Sequence, residues 1–215
     1  MSLIPQKTPW GPILVLGGVW GLSEAALGMS LRQCASTVSG SVMTGAALFF
    51  LAAAWTISPR LATAAAMVAV AASFKLFDAL LLGLPVLHGA IGNPIFAIVM
   101  EGAAFVLIVS VLSKALAAKP AGQGLAGGLS ALVAVNLFPL VKFATGVAPC
   151  VTGTAYPLSL YYAPLAIGLS ALTVPLGVLA GAALGAPERA AWRVRWLSPA
   201  ALALSFAALA ALRLL

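Results

Sequence analysis

Apolar residues along this chain come in long runs that polar positions seldom interrupt. A helix needs about 20 mainly apolar residues to cross a bilayer, and seven stretches approach or exceed that length. The predicted helices cover about Pro12–Leu31, Ser41–Ile57, Leu61–Leu84, Ile95–Leu116, Leu125–Gly146, Tyr161–Leu184 and Leu197–Leu212. The pattern therefore predicts an all-α integral membrane protein, a compact bundle of about seven transmembrane helices.

The breaks between these stretches carry residues that are typical of turns and loops. A segment rich in Pro and Gly separates the third stretch from the fourth, and Asn93-Pro94 in it predicts a helix start. Asn is a good N-cap and Pro a good first-turn residue. The last stretch is short but has no polar face, so we favour a seventh span; the alternative is a bundle of six. Residues 1–215 are expected to form one helical domain.

Composition separates the chain from water-soluble proteins. Of its 215 residues, 63% are hydrophobic and 7% are charged, whereas soluble domains have about 25% charged residues. The mean hydropathy is +1.13. This composition excludes a soluble enzyme, a disordered chain and a nucleic-acid-binding domain. The net charge of +7 comes from basic residues that are scattered along the chain and form no patch.

The basic residues predict the orientation, because Lys and Arg accumulate in the cytoplasmic loops of membrane proteins. With seven spans, two basic residues fall on one side of the membrane, Arg32 and Arg213. The other side receives Lys7, Arg60, Lys114, Lys119, Arg189, Arg193 and Arg195. We therefore expect the N-terminus to be cytoplasmic.

Five charged residues fall inside the predicted spans, namely Glu24, Lys75, Asp78, Glu101 and Lys142. A charge at the bilayer centre costs at least ~2.5–3.5 kcal/mol, so such residues face a bundle interior, pair with each other or serve a function. One interpretation is a set of structural ion pairs that fix helix packing. Five together in so uncharged a chain favour a functional cavity.

The predicted depths gather these polar groups in the outer half of the bilayer. At 1.5 Å per residue, Glu24 lies roughly 18 Å from the cytoplasmic start of its span, and Glu101 about 9 Å below the outer surface. Lys75 and Asp78 share a helix face, so they either form a self-contained pair or Lys75 reaches Glu24 or Glu101. With Asn93 at its mouth, the arrangement predicts a cup open to the outside for a polar or zwitterionic solute.

Other chemistry is sparse in the sequence. Cys34 and Cys150 are predicted at the outer surface, as a disulfide or as two unpaired thiols, and they share no metal-ligand spacing with His88. We therefore expect no metal site and no cofactor. The P-loop, His-Glu-x-x-His and Gly-x-Ser-x-Gly motifs are all missing. No catalytic residue is predicted, although Glu24 or Glu101 could serve a small intramembrane enzyme as acid–base catalyst.

Three motifs resemble a recurrent group of small bacterial membrane proteins: WGxxExxLG from Trp20, KLxD from Lys75 and NPxxxIxxE from Asn93. In size and architecture the chain is also similar to the S components of energy-coupling-factor transporters. Those proteins are small helical bundles, usually of six spans, that hold a vitamin or similar micronutrient in an outward-facing pocket. They depend on a separate transmembrane coupling subunit and ATPases. The resemblance implies a multi-pass protein of the bacterial plasma (inner) membrane.

Together these features predict a substrate-binding membrane component of an uptake system for a micronutrient or another small polar solute. The residues expected to line its pocket are Glu24, Lys75, Asp78, Asn93, Glu101 and Lys142. The expected partners are the lipid bilayer, the solute, and a transmembrane coupling subunit with ATPases, but no nucleic acid. The alternatives are a structural or anchoring subunit of a larger membrane complex and a small intramembrane acid–base enzyme.

Overall fold

The computed structural model describes residues 10–30, 37–112, 119–140, 143, 146, 158–185 and 197–214. Over these ranges the chain is helical apart from short turns. The seven α-helices are α1 (Trp10–Ser30), α2 (Thr37–Ile57), α3 (Leu61–Leu82), α4 (Gly89–Val111), α5 (Pro120–Leu137), α6 (Leu158–Gly185) and α7 (Leu197–Leu214). A short 3-10 helix, Phe138–Leu140, follows α5. The predicted all-α class is confirmed.

Six of the seven helices, α1 to α6, are long and apolar enough to cross a membrane. The seventh, α7, is also apolar but shorter. Because a membrane interior offers no water to backbone N–H and C=O groups, a helix is one of the few structures that can cross it. The helix count and composition are therefore compatible with a multi-pass membrane protein.

Three helices run parallel and form one side of the bundle. Gly17 and Gly21 of α1 lie beside Val70 and Phe74 of α3, and Gly18 lies beside Leu202 of α7. Residue numbers rise together along each of these contacts, so α1, α3 and α7 end at the same end of the bundle. We call it the Ser30 end, after the last residue of α1.

Helices α2 and α6 form the most extensive contact of the bundle. Gly177 of α6 lies against the backbone of Phe49, and Gly181 lies against that of Ala53. The two helices therefore run parallel, with a constant offset in residue number. Helix α5 packs against α6 in the opposite direction, since Gly124 lies beside Ala171 and residue 128 beside residue 167.

Two helices, α4 and α5, begin five or more residues earlier than the sequence predicts. Helix α4 starts at Gly89, where the side chain of His88 accepts a hydrogen bond from the N–H of Ala90 (3.2 Å). The expectation that Asn93 caps this helix is wrong, because Asn93 and Pro94 lie inside it. Helix α5 starts at Pro120, within a segment predicted to be a loop. The fixed φ of a proline at the first helical position suits a helix start.

The core consists of one large apolar cluster among α1 to α6 and a smaller cluster that includes α7. In the smaller cluster, Ala25, Phe74 and Leu209 are fully buried. Phe206 of α7 stacks on Phe74 with ring centroids 4.0 Å apart and an interplanar angle of 12°. This contact holds α7 against α1 and α3, which brings its last turn to the polar residues described below.

Candidate functional site

The structure describes five of the six residues that the sequence predicts for the site, and it buries all five. Their exposed fractions are 5% or less for Glu24, Lys75, Asp78, Asn93 and Glu101. Lys142 lies outside the described residues, as do Cys34 and Cys150. In a sequence with so few charges, the burial of these five residues within one bundle defines the candidate site.

Helices α1, α2 and α3 pack on one another, α4 packs on α2 and α3, and these four helices supply most of the site. Glu24 comes from α1, Lys75 and Asp78 from α3, and Glu101 from α4. Gly28 makes room for the lysine: a Cβ on that residue would lie 3.2 Å from the Lys75 Nζ atom. Packing therefore explains the last glycine of the WGxxExxLG motif, because a larger side chain there would push the ammonium group of Lys75 away.

Asp78 is the most completely paired acid of the site. Arg213 of α7 donates two hydrogen bonds to it, from Nε to Oδ1 and from Nη2 to Oδ2, each of 2.7 Å. The Lys75 Nζ atom lies 3.5 Å from Oδ2 of the same carboxylate. Bidentate arginine–carboxylate pairs are among the strongest hydrogen-bonded pairs in proteins. Asp78 is therefore committed to holding α7 and Lys75 in place.

Arg213 is a site residue that the sequence analysis missed. It lies in the last turn of α7. From the sequence, a basic residue at the end of an apolar stretch is interpreted as a loop residue that indicates the orientation of the protein in the membrane. The sequence contained one indication of this pair, because Asp78 is a charged residue within a predicted span and lies toward the same side of the membrane as Arg213. Which basic residue would reach that acid depends on the packing of α7 against α1 and α3, which sequence spacing does not reveal.

Lys75 also contacts α1. Its ammonium group donates a hydrogen bond of 3.4 Å to the backbone carbonyl of Glu24. The Glu24 carboxylate accepts a second, equally long bond from the indole N–H of Trp20. Both sequence interpretations thus hold in part, because Lys75 pairs with Asp78 on its own helix and also reaches Glu24.

Glu101 lies in a different environment from Asp78. Thr44 of α2 gives its carboxyl group a hydrogen bond, and the nearby carboxyl of Glu24 interacts with it as a like charge. Its Oε2 atom has no hydrogen-bond partner in the described part of the chain. An unsatisfied buried polar atom costs about 1–3 kcal/mol, so this oxygen requires an explanation.

Asn93 is unsatisfied to a greater degree. Neither Nδ2 nor Oδ1 of its side chain has a partner among the described residues, although the side chain is buried. An amide in this state presents two donors and an acceptor at once. Such groups are rare in folded proteins, and each one points to strain, a bound molecule or a functional role.

The described helices also fix the relative depths of these groups. Glu101 lies about 18 Å along α4 from Gly89, and Asn93 lies about 12 Å nearer the Ser30 end. The expectation that Glu101 lies close to the surface is therefore wrong, because α4 begins earlier than predicted. Gly102 packs beside Val68 of α3, so the antiparallel register places Lys75 level with a point between Asn93 and Glu101.

The arrangement can bind a polar molecule but resembles no metal centre. Among the described residues there is no group of three His, Cys, Asp or Glu side chains that could hold a metal ion. What these helices bring together is a set of charged and amide groups in an apolar bundle, some of them paired and some with free bonding capacity.

Comparisons of this chain with protein-family models, with curated proteins and with solved structures found no match. The similarity to energy-coupling-factor S components, which is based on size and architecture, stays a prediction. The function of the chain is therefore inferred from the geometry of the buried cluster.

Proposed function

We propose that the chain is an integral membrane protein that binds a small polar solute as the substrate-binding component of an uptake system. The observation that supports this proposal most strongly is the unused bonding capacity of Glu101 and Asn93. Both side chains are buried, and the carboxyl group of Glu101 interacts with that of Glu24 on α1. A polar solute would supply the partners that these atoms lack.

The contrast with Asp78 explains why the unused hydrogen-bonding capacity of Glu101 and Asn93 points to a ligand. Asp78 is as deeply buried as Glu101, but both of its oxygens accept hydrogen bonds from Arg213. A buried carboxyl group with a purely structural role is expected to be satisfied in that way, because isolated buried charges are costly. Oε2 of Glu101 and the side-chain amide of Asn93 instead have no hydrogen-bond partner among the described residues, which is typical of a preorganised binding site.

The orientation of the proposed protein follows from its basic residues. With a cytoplasmic N-terminus, the Ser30 end faces the outside and Asn93 lies nearer the external surface than Glu101. The deep burial of both side chains means that a solute enters only when helices or connecting segments move. Because the sequence has no P-loop, energy for import would come from a partner, a transmembrane coupling subunit with ATPases. We place the protein in the bacterial plasma membrane.

A second candidate function is a structural or anchoring subunit of a larger membrane complex. The observation that favours it is the Asp78–Arg213 ion pair, in which the carboxylate is fully paired and holds α7 against α3. This interpretation accounts for Asp78 and Lys75, but it leaves the unpartnered atoms of Glu101 and Asn93 without a role.

The proposal is tested by the thermal unfolding of the detergent-purified protein in a panel of small polar solutes. A solute at 100 times its dissociation constant stabilises the folded state by about 2.7 kcal/mol. We expect at least one solute to stabilise the wild type but neither Asn93→Leu nor Glu101→Gln. The matched control is Asn136→Leu, since Asn136 is exposed and bonds to the Leu132 carbonyl of its own helix.

Two results would contradict the proposal. Stabilisation that persists in both Asn93→Leu and Glu101→Gln would place the solute elsewhere on the protein. A panel without any stabilising solute, together with copurification in a stable complex of redox subunits, would support the anchoring function instead.

A further inference from the structure

The distribution of charge within the cluster limits what kind of solute it can hold. The described helices bury three acids, Glu24, Asp78 and Glu101, and bring two bases to them, Lys75 and Arg213. The formal balance is 2 − 3 = −1. Both bases lie at Asp78, with nitrogen–oxygen distances of 3.5 Å for Lys75 and 2.7 Å for Arg213. Lys75 also interacts electrostatically with Glu24, so Glu101 is the buried acid to which the described helices bring no base.

The carboxyl group of Glu101 has little compensation among the described residues. The groups that interact with it are Glu24, a like charge, and Thr44, a neutral hydroxyl. The Glu24 carboxylate receives a neutral N–H from Trp20 at 3.4 Å and is compensated by the charge of Lys75, whose hydrogen bond goes to the Glu24 backbone. A buried carboxyl group beside a like charge and without a base of its own is stabilised by a proton or a cation.

We propose that the bound solute carries a basic nitrogen, an ammonium or amidinium group, which lies at the carboxyl group of Glu101, next to Glu24. Oε2 of Glu101 accepts one of its N–H bonds. Asn93, nearer the Ser30 end, binds a neutral polar group at the other end of the solute. This inference rests on the proposed function and specifies the class of its substrate.

The directions of the side chains agree with this placement. In a helix, long side chains point back toward the helix N-terminus. Glu101 on α4 thus points toward the Ser30 end, and Glu24 on α1 points away from it. The two carboxyl groups are therefore expected to lie at similar depth, which agrees with the like-charge interaction between them.

The inference is tested with three probes of one shape: benzamidinium, neutral benzamide and anionic benzoate. Each is added at equal ionic strength to the purified full-length protein, and the unfolding midpoint and the tryptophan emission are recorded. We expect benzamidinium to raise the midpoint by several degrees and the other two to leave it unchanged. The emission should change with benzamidinium in the wild type but not in Trp20→Phe, because Trp20 bonds to Glu24. Glu101→Gln should lose both responses, whereas the exposed-site control Asn136→Leu should keep them.

The possible failures differ from those of the proposed function. If benzamide or benzoate stabilises the wild type and Asn93→Leu abolishes the effect, solute binding stands and the basic nitrogen is refuted. A benzamidinium response found only in Lys142→Met would show that Lys142 neutralises Glu101 in the native protein, which also overturns the inference. The three probes compare a cationic, a neutral and an anionic solute on the wild-type protein, so the test does not depend on the folding of any variant.

Discussion

At the scale of single residues, Asp78 and Glu101 show two outcomes for an acid buried in an apolar bundle. Asp78 has two guanidinium hydrogen bonds and a nearby ammonium group. Glu101 has a threonine and a second acid beside it. Since burying an uncompensated charge costs far more than burying a paired one, the two acids have different roles. We propose that Asp78 stabilises the bundle and that Glu101 binds the solute.

The structural role of Asp78 leads to a stability prediction. Asp78→Asn leaves Arg213 and Lys75 without their common counter-ion, so we expect it to lower the free energy of unfolding by about 3–5 kcal/mol. The measurement is reversible unfolding in detergent of Asp78→Asn, Arg213→Gln and the double variant. Because the two residues are in contact, the double variant should lose less stability than the sum of the single losses. Additive losses would show that the pair contributes no coupling energy.

The sequence revealed some of these residues and concealed others for physical reasons. Glu24, Lys75 and Glu101 were predictable, because a charge within an apolar stretch is costly and therefore informative. The Asn-Pro pair predicts that Asn93 lies at the start of a helix, but Asn93 lies within α4 as a buried amide without a partner among the described residues. Arg213 was missed because its contact with Asp78 depends on how α7 packs.

At the scale of helices, α2 and α6 are held together by backbone contact. Gly177 and Gly181 of α6 lie directly against the backbone of Phe49 and Ala53. Small residues allow this approach in membranes, where lipid is as apolar as a side chain and close packing drives association. The run of small residues from 177 to 185 predicted close helix contact, but the sequence did not identify the partner helix.

A pair of alanine substitutions on α6 tests this packing. A Cβ at residue 177 would collide with the carbonyl oxygen of Phe49, whereas a Cβ at Gly168 meets nothing within 4 Å. We expect Gly177→Ala to lower the free energy of unfolding by about 1–3 kcal/mol, the usual cost of overpacking. Gly168→Ala should leave it unchanged or raise it by up to ~1 kcal/mol through helix propensity. Equal effects of the two substitutions on unfolding would contradict the packing described.

Helix ends were harder to predict than helix interiors. The apolar stretches predicted all seven helices, because their length and hydropathy depend on many residues. At the start of α4 the residue that caps the helix is His88, whose side chain accepts a hydrogen bond from the N–H of Ala90, and histidine is not among the preferred capping residues. The shift moves Glu101 from a shallow position to the middle of α4, which changes the depth of the candidate site.

At the scale of the whole molecule, the account depends on which end of the bundle faces outward. A cytoplasmic N-terminus places the turn at Val86, between α3 and α4, outside the cell and Lys119 inside. Both residues are exposed. In a background with Cys34 and Cys150 replaced by serine, we expect Val86→Cys to react with a membrane-impermeant maleimide in intact cells. Lys119→Cys should react only after permeabilisation. The reverse labelling pattern would show that the N-terminus lies outside the cell, and the Ser30 end of the bundle would then face the cytoplasm.

The central claim, that the buried cluster is held ready for a solute, has a direct test that needs no knowledge of the solute. Asn93→Leu removes a buried amide that has no hydrogen-bond partner in the described part of the chain and replaces it with an apolar side chain of similar size. If the amide serves a ligand, the unliganded variant should be as stable as the wild type or more stable, by up to about 1–3 kcal/mol. The measurement is the free energy of unfolding of ligand-free protein, with Asn136→Leu as the exposed control. A clear loss of stability confined to Asn93→Leu would show that Asn93 has a structural partner and would contradict the binding-site account.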